Sequence, residues 1–253
     1  MKPISAPYQS DDVVGIITAR YASTRFPGKP LVDIGGKTMV QRTWEQACKA
    51  DFAKVIVATD DHRIADHVRG FGGLTVMTSS GHNTGTERCI EVAELFNDYN
   101  NFINIQGDEP FVSEETLNIV IHALSDKYYY NAVVTPAISI NDDFQINSPN
   151  TVKVVFDNNF KAMYFSRLPI PYVRTKTDIV PSYYKHLGIY GFTSATLKAI
   201  KKLNHSKYAD VEMLEQLKWL ENGVKIQLVG TEYDSDGIDT PEDLEKAIKK
   251  YNL

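Results

Sequence analysis

The sequence has little cysteine, no long apolar run and no excess of positive charge, and each shortage excludes something. Only Cys48 and Cys89 occur among 253 residues. They fall in stretches that read as helices and lack the spacing of a zinc site, so two reduced structural thiols are expected rather than a disulfide framework. No stretch approaches the ~20 apolar residues that a membrane-spanning helix needs. Residues 1–12 lack the apolar core of a signal peptide and read as a flexible leader, which makes a cytoplasmic location the expectation and a membrane partner unexpected. A net charge of −5 argues against a nucleic-acid partner, whose binders carry a basic surface. It does not exclude a small anion, for which a few clustered cations suffice. Internal repeats and low-complexity tracts are also absent, as are the G-K-[ST] ending of a Walker A loop and a G-x-G-x-x-G turn.

What is present is the composition of a folded domain, 43% hydrophobic and 23% charged. The length suits one α/β domain with a smaller lobe. Short runs rich in Val and Ile, at 13–18, 55–59, 74–78 and 102–105, alternate with segments of helical period at 38–50, 62–71, 86–97 and 113–125. Thr38 with Gln41 three residues on offers a capping box for the first helix. Such alternation implies βαβ units and a mostly parallel sheet flanked by helices. Ligands of these sheets bind beyond the carboxyl ends of the strands, so the loops after Thr18, Thr59, Thr78 and Ile105 should share one crevice.

The pattern changes after about residue 132. Strands are expected at 133–140 and 152–156, the latter turning at Asp157-Asn158-Asn159 into a hairpin with 161–166. A proline-containing loop at 168–182 follows, then a helix at 211–221, a strand at 225–229, and a closing helix opened by Thr240-Pro241-Glu242-Asp243. The chain thus reads as one domain over 1–253. A nucleotide-binding core spans about 13–132, a smaller antiparallel lobe about 133–210, and residues 211–253 return to the core.

Two motifs carry chemistry. The loop A-R-Y-A-S-T-R-F-P-G-K-P directly follows the first strand and packs Arg20, Arg25 and Lys29 among Ser23, Thr24 and Gly28. Backbone N–H groups in a turn, fixed cations and guanidinium forks are what a triphosphate requires. Q-G-D-E-P follows the fourth strand and puts Asp108 where a carboxylate can hold Mg²⁺ against phosphates, since this ion is usually bound by one or two carboxylates plus substrate oxygens and water. An aspartate in G-D-x-P is also a common turn residue. Asp239, in G-I-D-T-P-E-D-L, is a candidate second metal acid or simply the turn before a capped helix. His186 reads equally well as a structural histidine on a half-buried strand. His82 and the run Tyr128-Tyr129-Tyr130 read by default as a loop residue and a packed helix end.

These two motifs occur in order with V-A-T-D-D-x-R-I, H-N-T-G-T-E-R, V-K-V-V-F-D, Y-F-S-R-x-x-I-P, K-H-L-G-I-Y-G-F, M-L-E-Q-L-K and the closing G-I-D-T-P-E-D-L. The series covers essentially everything from Val13 to Leu244 and resembles the 3-deoxy-manno-octulosonate (Kdo) cytidylyltransferase family. The resemblance implies a Rossmann-like nucleotidyltransferase fold with a smaller antiparallel lobe for sugar binding and dimerisation, and a homodimer. It implies transfer of CMP from CTP to the anomeric hydroxyl of an acidic eight-carbon sugar, Kdo, for lipopolysaccharide biosynthesis. Carried onto matching positions, Arg20, Ser23, Thr24, Arg25, Lys29 and Thr86 would bind the nucleotide, with Lys29, Arg25 and Asp108 catalytic. Asp108 and Asp239 would hold Mg²⁺. Gln106, Arg167, His186, Tyr190, Glu215 and Gln216 would surround the sugar. The chain departs from the family pattern at Thr18, where Pro is usual, and at Ser79 and Lys218, where Arg is usual. An Arg-to-Lys change loses a bidentate contact, so a modified acceptor such as 8-amino-Kdo, or a capsule-dedicated paralogue, stays open.

Overall fold

The computed structural model describes residues 12–22, 26–125, 131–175 and 181–253. The expected leader and Tyr128-Tyr129-Tyr130 lie outside the described residues, apart from Asp12. The first half runs β1 (Val13–Ala19), a short hairpin of β2 (Asp33–Ile34) and β3 (Lys37–Thr38), and α1 (Met39–Ala47). It continues through β4 (Lys54–Thr59), α2 (His62–Gly70), β5 (Leu74–Met77), α3 (Gly85–Leu95), β6 (Asn101–Gln106) and α4 (Glu114–Ser125). β1 is buried along its whole length and pairs in parallel with β4 and β6, while β5 pairs in parallel with β4. Alternate side chains of β1 serve opposite layers. Val14 and Ile16 pack with Cys89 and Val92 of α3, whereas Val13 and Ile17 pack with Val40, Ile64 and Ile121 of α1, α2 and α4.

The second half comprises β7 (Ala132–Ile140), α5 (Asp143–Asn147), β8 (Lys153–Phe156), β9 (Ala162–Ser166), β10 (Tyr183–His186) and β11 (Tyr190–Thr193). It closes with α6 (Ser194–Ile200), α7 (Lys207–Glu212), α8 (Glu215–Glu221), β12 (Lys225–Gly230) and α9 (Pro241–Tyr251). β11 lies antiparallel against β6 and joins the two halves into one ten-stranded sheet of order β5-β4-β1-β6-β11-β7-β10-β8-β9, with β12 parallel to β7. The antiparallel limb expected after residue 132 is therefore continuous with the parallel core. The β8–β9 hairpin turns where expected, because the Asp157 carboxylate accepts the N–H groups of Asn159 and Lys161 at 2.8 and 2.9 Å. α5, α6, β11 and the β2–β3 hairpin are additions to the sequence reading, whereas β10 is the strand expected around His186.

Two local expectations need correction. Thr38 caps α1 by accepting the Gln41 N–H at 3.4 Å, but the Gln41 amide donates forward to Glu45 at 3.1 Å instead of closing a capping box. A charged acceptor one turn on outcompetes the reciprocal bond. The capping box is realised instead in α9, between Thr240 and Asp243. The single helix expected over 211–221 is broken: α7 stops at Glu212, Met213 is left-handed at φ 52°, and α8 restarts at Glu215. Arg167 takes the carbonyl oxygens of Glu212 and Met213 at 2.7 and 3.3 Å, which a continuous helix would give to N–H groups one turn later. The break also turns Leu214 into the core, where it is 7% exposed.

Beneath this break lies a fully buried ammonium. Lys153 donates to the carbonyl oxygens of Ser148, Thr151 and Arg167 at 2.8, 2.6 and 2.5 Å. Lys153→Met should remove all three bonds, leaving Ser148 O with the Thr151 N–H at 3.2 Å but Thr151 O and Arg167 O without this donor, and lower unfolding free energy by about 2 kcal/mol or more. Urea denaturation checks this; a loss below about 1 kcal/mol would show that the ammonium is not holding them.

Candidate active site

The carboxyl ends of the parallel strands do converge. The Gly107 N–H donates to Thr18 O at 3.0 Å, and the Thr78 N–H to Thr59 O at 2.9 Å, so the four loops border one crevice. A methyl group built on Gly85 would lie 3.0 Å from Thr18 Oγ1, 3.1 Å from Asn104 Nδ2 and 3.4 Å from Gln106 Nε2. The N-terminus of α3, capped by Thr84, therefore opens onto the ends of β1 and β6. Below it Arg88 is fully buried, donating to Thr78 Oγ1 and to Asp60 Oδ2, the latter at 3.1 Å. Arg88 closes the H-N-T-G-T-E-R motif, but only the tertiary arrangement shows a guanidinium under the crevice.

At the crevice floor Lys29 meets both candidate metal acids. Its Nζ donates to Asp108 Oδ2 at 2.6 Å and to Asp239 Oδ1 at 3.1 Å. Lys29 is positioned by a 3₁₀ turn over Lys29–Leu31, Asp108 by the loop after β6, and Asp239 by the Ile238 N–H bond to Asp108 O at 2.9 Å. Burial opposes the Lys29 charge, but Asp108 and then Asp239 hold its ammonium above its ordinary range. Both carboxylates keep solvent access, with side chains 29% and 45% exposed. No cluster of three metal-ligating acids, histidines or cysteines occurs among the described residues. Two carboxylates with no third protein ligand suit an ion that takes its remaining ligands from phosphate oxygens and water. Arg20 is exposed at the end of β1. Ser23, Thr24 and Arg25 lie outside the described residues.

A cavity of about 460 Å³ extends along α3, with Thr86, Glu91, Glu215, Lys218 and Trp219 in its wall. Thr86 is buried there with its hydroxyl beside the Glu215 carboxyl. Burial raises the Glu215 carboxyl, and the nearby hydroxyls of Thr86 and Thr84 only partly oppose this. His82 is paired with Glu91 at 2.5 Å, and Glu91 also accepts the Ser79 N–H at 2.9 Å. The two departures Ser79 and Lys218 thus share this one cavity. Tyr190 packs edge-on against Trp219 at 4.9 Å, and burial followed by the Glu215 charge drives its phenol well above its usual range. Gln216 is buried but is not part of the cavity wall.

The remaining sugar candidates are engaged with the protein. Arg167 donates to the carbonyl oxygens of Glu212, Met213 and Pro149, bracing the α7–α8 break. His186 is 6% exposed, between Phe165 and Tyr190. The Thr135 hydroxyl has a single proton and lies 2.7 Å from Ile189 O, so the network assigns the imidazole proton to Nε2, which donates to Thr135 at 2.9 Å. Burial pushes this imidazole down to about 3. A second residue without an assigned role is Glu109, whose carboxyl is raised to about 7 by burial and then by Asp108.

Comparison with known proteins adds three findings. Residues 14–226 match a family model described as Cytidylyltransferase. The chain is 48% identical over 242 residues to a 3-deoxy-manno-octulosonate cytidylyltransferase of Parabacteroides distasonis, covering 93% of this chain and 96% of the relative. It is 45% identical over 251 residues to the enzyme of that name from Thermodesulfovibrio yellowstonii, covering 94% and 97%. Among solved structures it resembles a CMP:2-keto-3-deoxy-manno-octonic acid synthetase complexed with CTP. The TM-score is 0.87 at 37% identity, over 96% of this chain and all of the other.

The buried imidazole gives a pH test. His186 stays neutral when folded but takes up a proton near its ordinary 6.5 when unfolded. The unfolded chain therefore binds more protons, and stability falls as pH drops from 6.5 towards about 3, by up to ~1.4 kcal/mol per pH unit. His186→Gln keeps an N–H donor without titrating and should flatten that slope in urea unfolding. Identical slopes would overturn the neutral assignment.

Proposed function

Because the chain belongs to the 3-deoxy-manno-octulosonate cytidylyltransferase family, we propose that it transfers CMP from CTP to the anomeric hydroxyl of Kdo and releases diphosphate. The observation that carries this reading is the Lys29 ammonium between Asp108 and Asp239 at the mouth of the parallel sheet. The sugar oxygen forms a bond to the α-phosphorus as the bond to diphosphate breaks, so the protein must neutralise charge and align the nucleophile. Lys29 and Arg20 supply fixed positive charge for the phosphates, with Ser23, Thr24, Arg25 and Thr86 completing the nucleotide site. In this reading Glu215 and Gln106 line the sugar side and Arg167 meets the sugar carboxylate with the N–H groups left over from its three carbonyl bonds, while Tyr190, Gln216 and His186 are packed behind that wall. Asp108 and Asp239 would hold Mg²⁺, which when bound neutralises charge on the triphosphate. Lys29, already shared between these two acids, is placed to turn towards the phosphates.

In the same reading the core of about 13–132 binds nucleotide, and 133–210 supplies sugar contacts and a dimer face. No described helix is long and apolar enough to cross a membrane, and we place the reaction in the cytoplasm, where CTP is made. For a homodimer the supporting feature is apolar surface on β9 and the α7–α8 region. Met163, Tyr208, Val211 and Met213 are all exposed there, beside a sheet-edge strand.

Diphosphate release with CTP and Kdo tests the central claim against other nucleoside triphosphates and against N-acetylneuraminate. Turnover restricted to another sugar or another base would refute it. Asp108→Ala should cost at least about 10²-fold in kcat with an unchanged far-UV spectrum; full activity would remove Asp108 from the site. Val211→Glu combined with Met213→Glu should give monomers by light scattering, and an unaltered mass would place the interface elsewhere.

A further inference from the structure

Glu109 directly follows Asp108, yet its carboxylate is bound to the segment that carries Asp239. That segment, residues 231–240, joins β12 to α9 with no helix or strand of its own, so its course depends on what it is tied to. Ser235, 6% exposed, donates its hydroxyl proton to Glu109 Oε2. Gly237 passes so close that an added methyl group would stand 3.2 Å from Glu109 Oε1. The Ile238 N–H donates to Asp108 O at 2.9 Å. On the far side the Lys185 ammonium holds Asp234 at 2.7 Å and Ser235 O at 3.0 Å, while the Tyr251 hydroxyl holds Asp236 at 3.0 Å.

Of these ties, Glu109 and the Asp108 carbonyl alone come from the loop that bears the first acid. A carboxylate beside Asp108 and Asp234 is unfavourable by charge, which the Lys185 ammonium only partly offsets, and burial without a hydrogen bond would cost more. The Ser235 bond offsets part of that cost, and the result is a fixed span between two loops that are otherwise joined by the Ile238–Asp108 backbone bond and, through a third segment, by the Lys29 ammonium. We propose that Glu109 is a positioning residue that sets the separation of Asp108 and Asp239, and thereby the affinity of that pair for a divalent cation. This rests on the metal reading above and assigns Glu109 no contact with substrate. Partners one step removed from a metal typically change its affinity 10–100-fold when lost.

The test is Mn²⁺ binding to the full chain in the presence of CTP, read from the electron paramagnetic resonance signal of free Mn²⁺ without turnover. Glu109→Ala should raise the Mn²⁺ dissociation constant about tenfold. It should raise the half-saturating Mg²⁺ concentration equally, with kcat at saturating Mg²⁺ within about twofold. Glu109→Gln keeps an oxygen that accepts from Ser235 and should restore binding to within about threefold. Ser235→Ala breaks the same tie from the other side and should resemble Glu109→Ala, which covers the case in which Glu109→Ala does not fold. The Glu109→Ala/Ser235→Ala pair should be no worse than the stronger single change. Unchanged Mn²⁺ affinity in Glu109→Ala or Ser235→Ala overturns the proposal. So does Glu109→Gln as impaired as Glu109→Ala, because Glu109 would then act through its charge. Asp108→Ala separates the two readings: if it too leaves Mn²⁺ binding intact, the metal assignment fails; if it alone abolishes binding, only the role of Glu109 fails.

Discussion

Two carboxylates and one ammonium share the floor of the crevice, and the chain must bring them from far apart. Lys29 reaches Asp108 across 79 positions and Asp239 across 210. Each acid alone would be an ordinary turn residue, and placed together without a cation they would repel. The parallel order of β1 and β6 puts Lys29 and Asp108 at the same sheet end, and the passage from β12 to α9 returns Asp239 to it. The ammonium balances the pair and keeps the site compact. Both carboxylates also remain open to solvent, the property on which the proposed metal reading draws.

A second network organises the antiparallel limb and obeys a different rule. Here a buried ammonium and a half-buried guanidinium are satisfied by backbone carbonyls rather than by acids alone. Lys153 gathers three such oxygens, and Arg167 takes three more while its own N–H and the Ser166 hydroxyl bind the Glu212 carboxylate. These bonds fix where α7 ends and α8 begins. The position of α8 in turn brings Glu215 and Trp219 to the cavity along α3. The geometry of that cavity is thus set by interactions remote from it.

Much of this was legible in the residues. Unbroken Val and Ile runs mark strands buried on both faces, and their alternation with amphipathic segments forces crossovers and a parallel sheet. Thr240-Pro241-Glu242-Asp243 states its own helix start, and Asp157-Asn158-Asn159 its own turn. The cations of the 20–29 loop and Asp108 were identifiable by type and by position after a strand. Local pattern failed where long-range bonds override it. Residues 211–221 have helical period throughout, yet Arg167 takes the carbonyls that period would use. Gln41 matches a capping box but finds Glu45. Arg88, Lys153 and Glu109 look like ordinary surface charges in sequence, since nothing local tells a buried charge from a solvated one.

The sequence by itself determined the strand and helix succession, the caps and turns, and the kinds of side chain available at the crevice, because these follow from periodicity and from bonds spanning a few residues. Only the tertiary structure decided that Lys29 bridges Asp108 and Asp239, that His186 is held neutral against Thr135, and that Thr86 and Glu215 share a wall with Ser79 and Lys218. Those outcomes depend on which distant groups become neighbours and how far each is removed from water. Burial and pairing set the charge of an ionisable side chain, and neither is encoded at its own position.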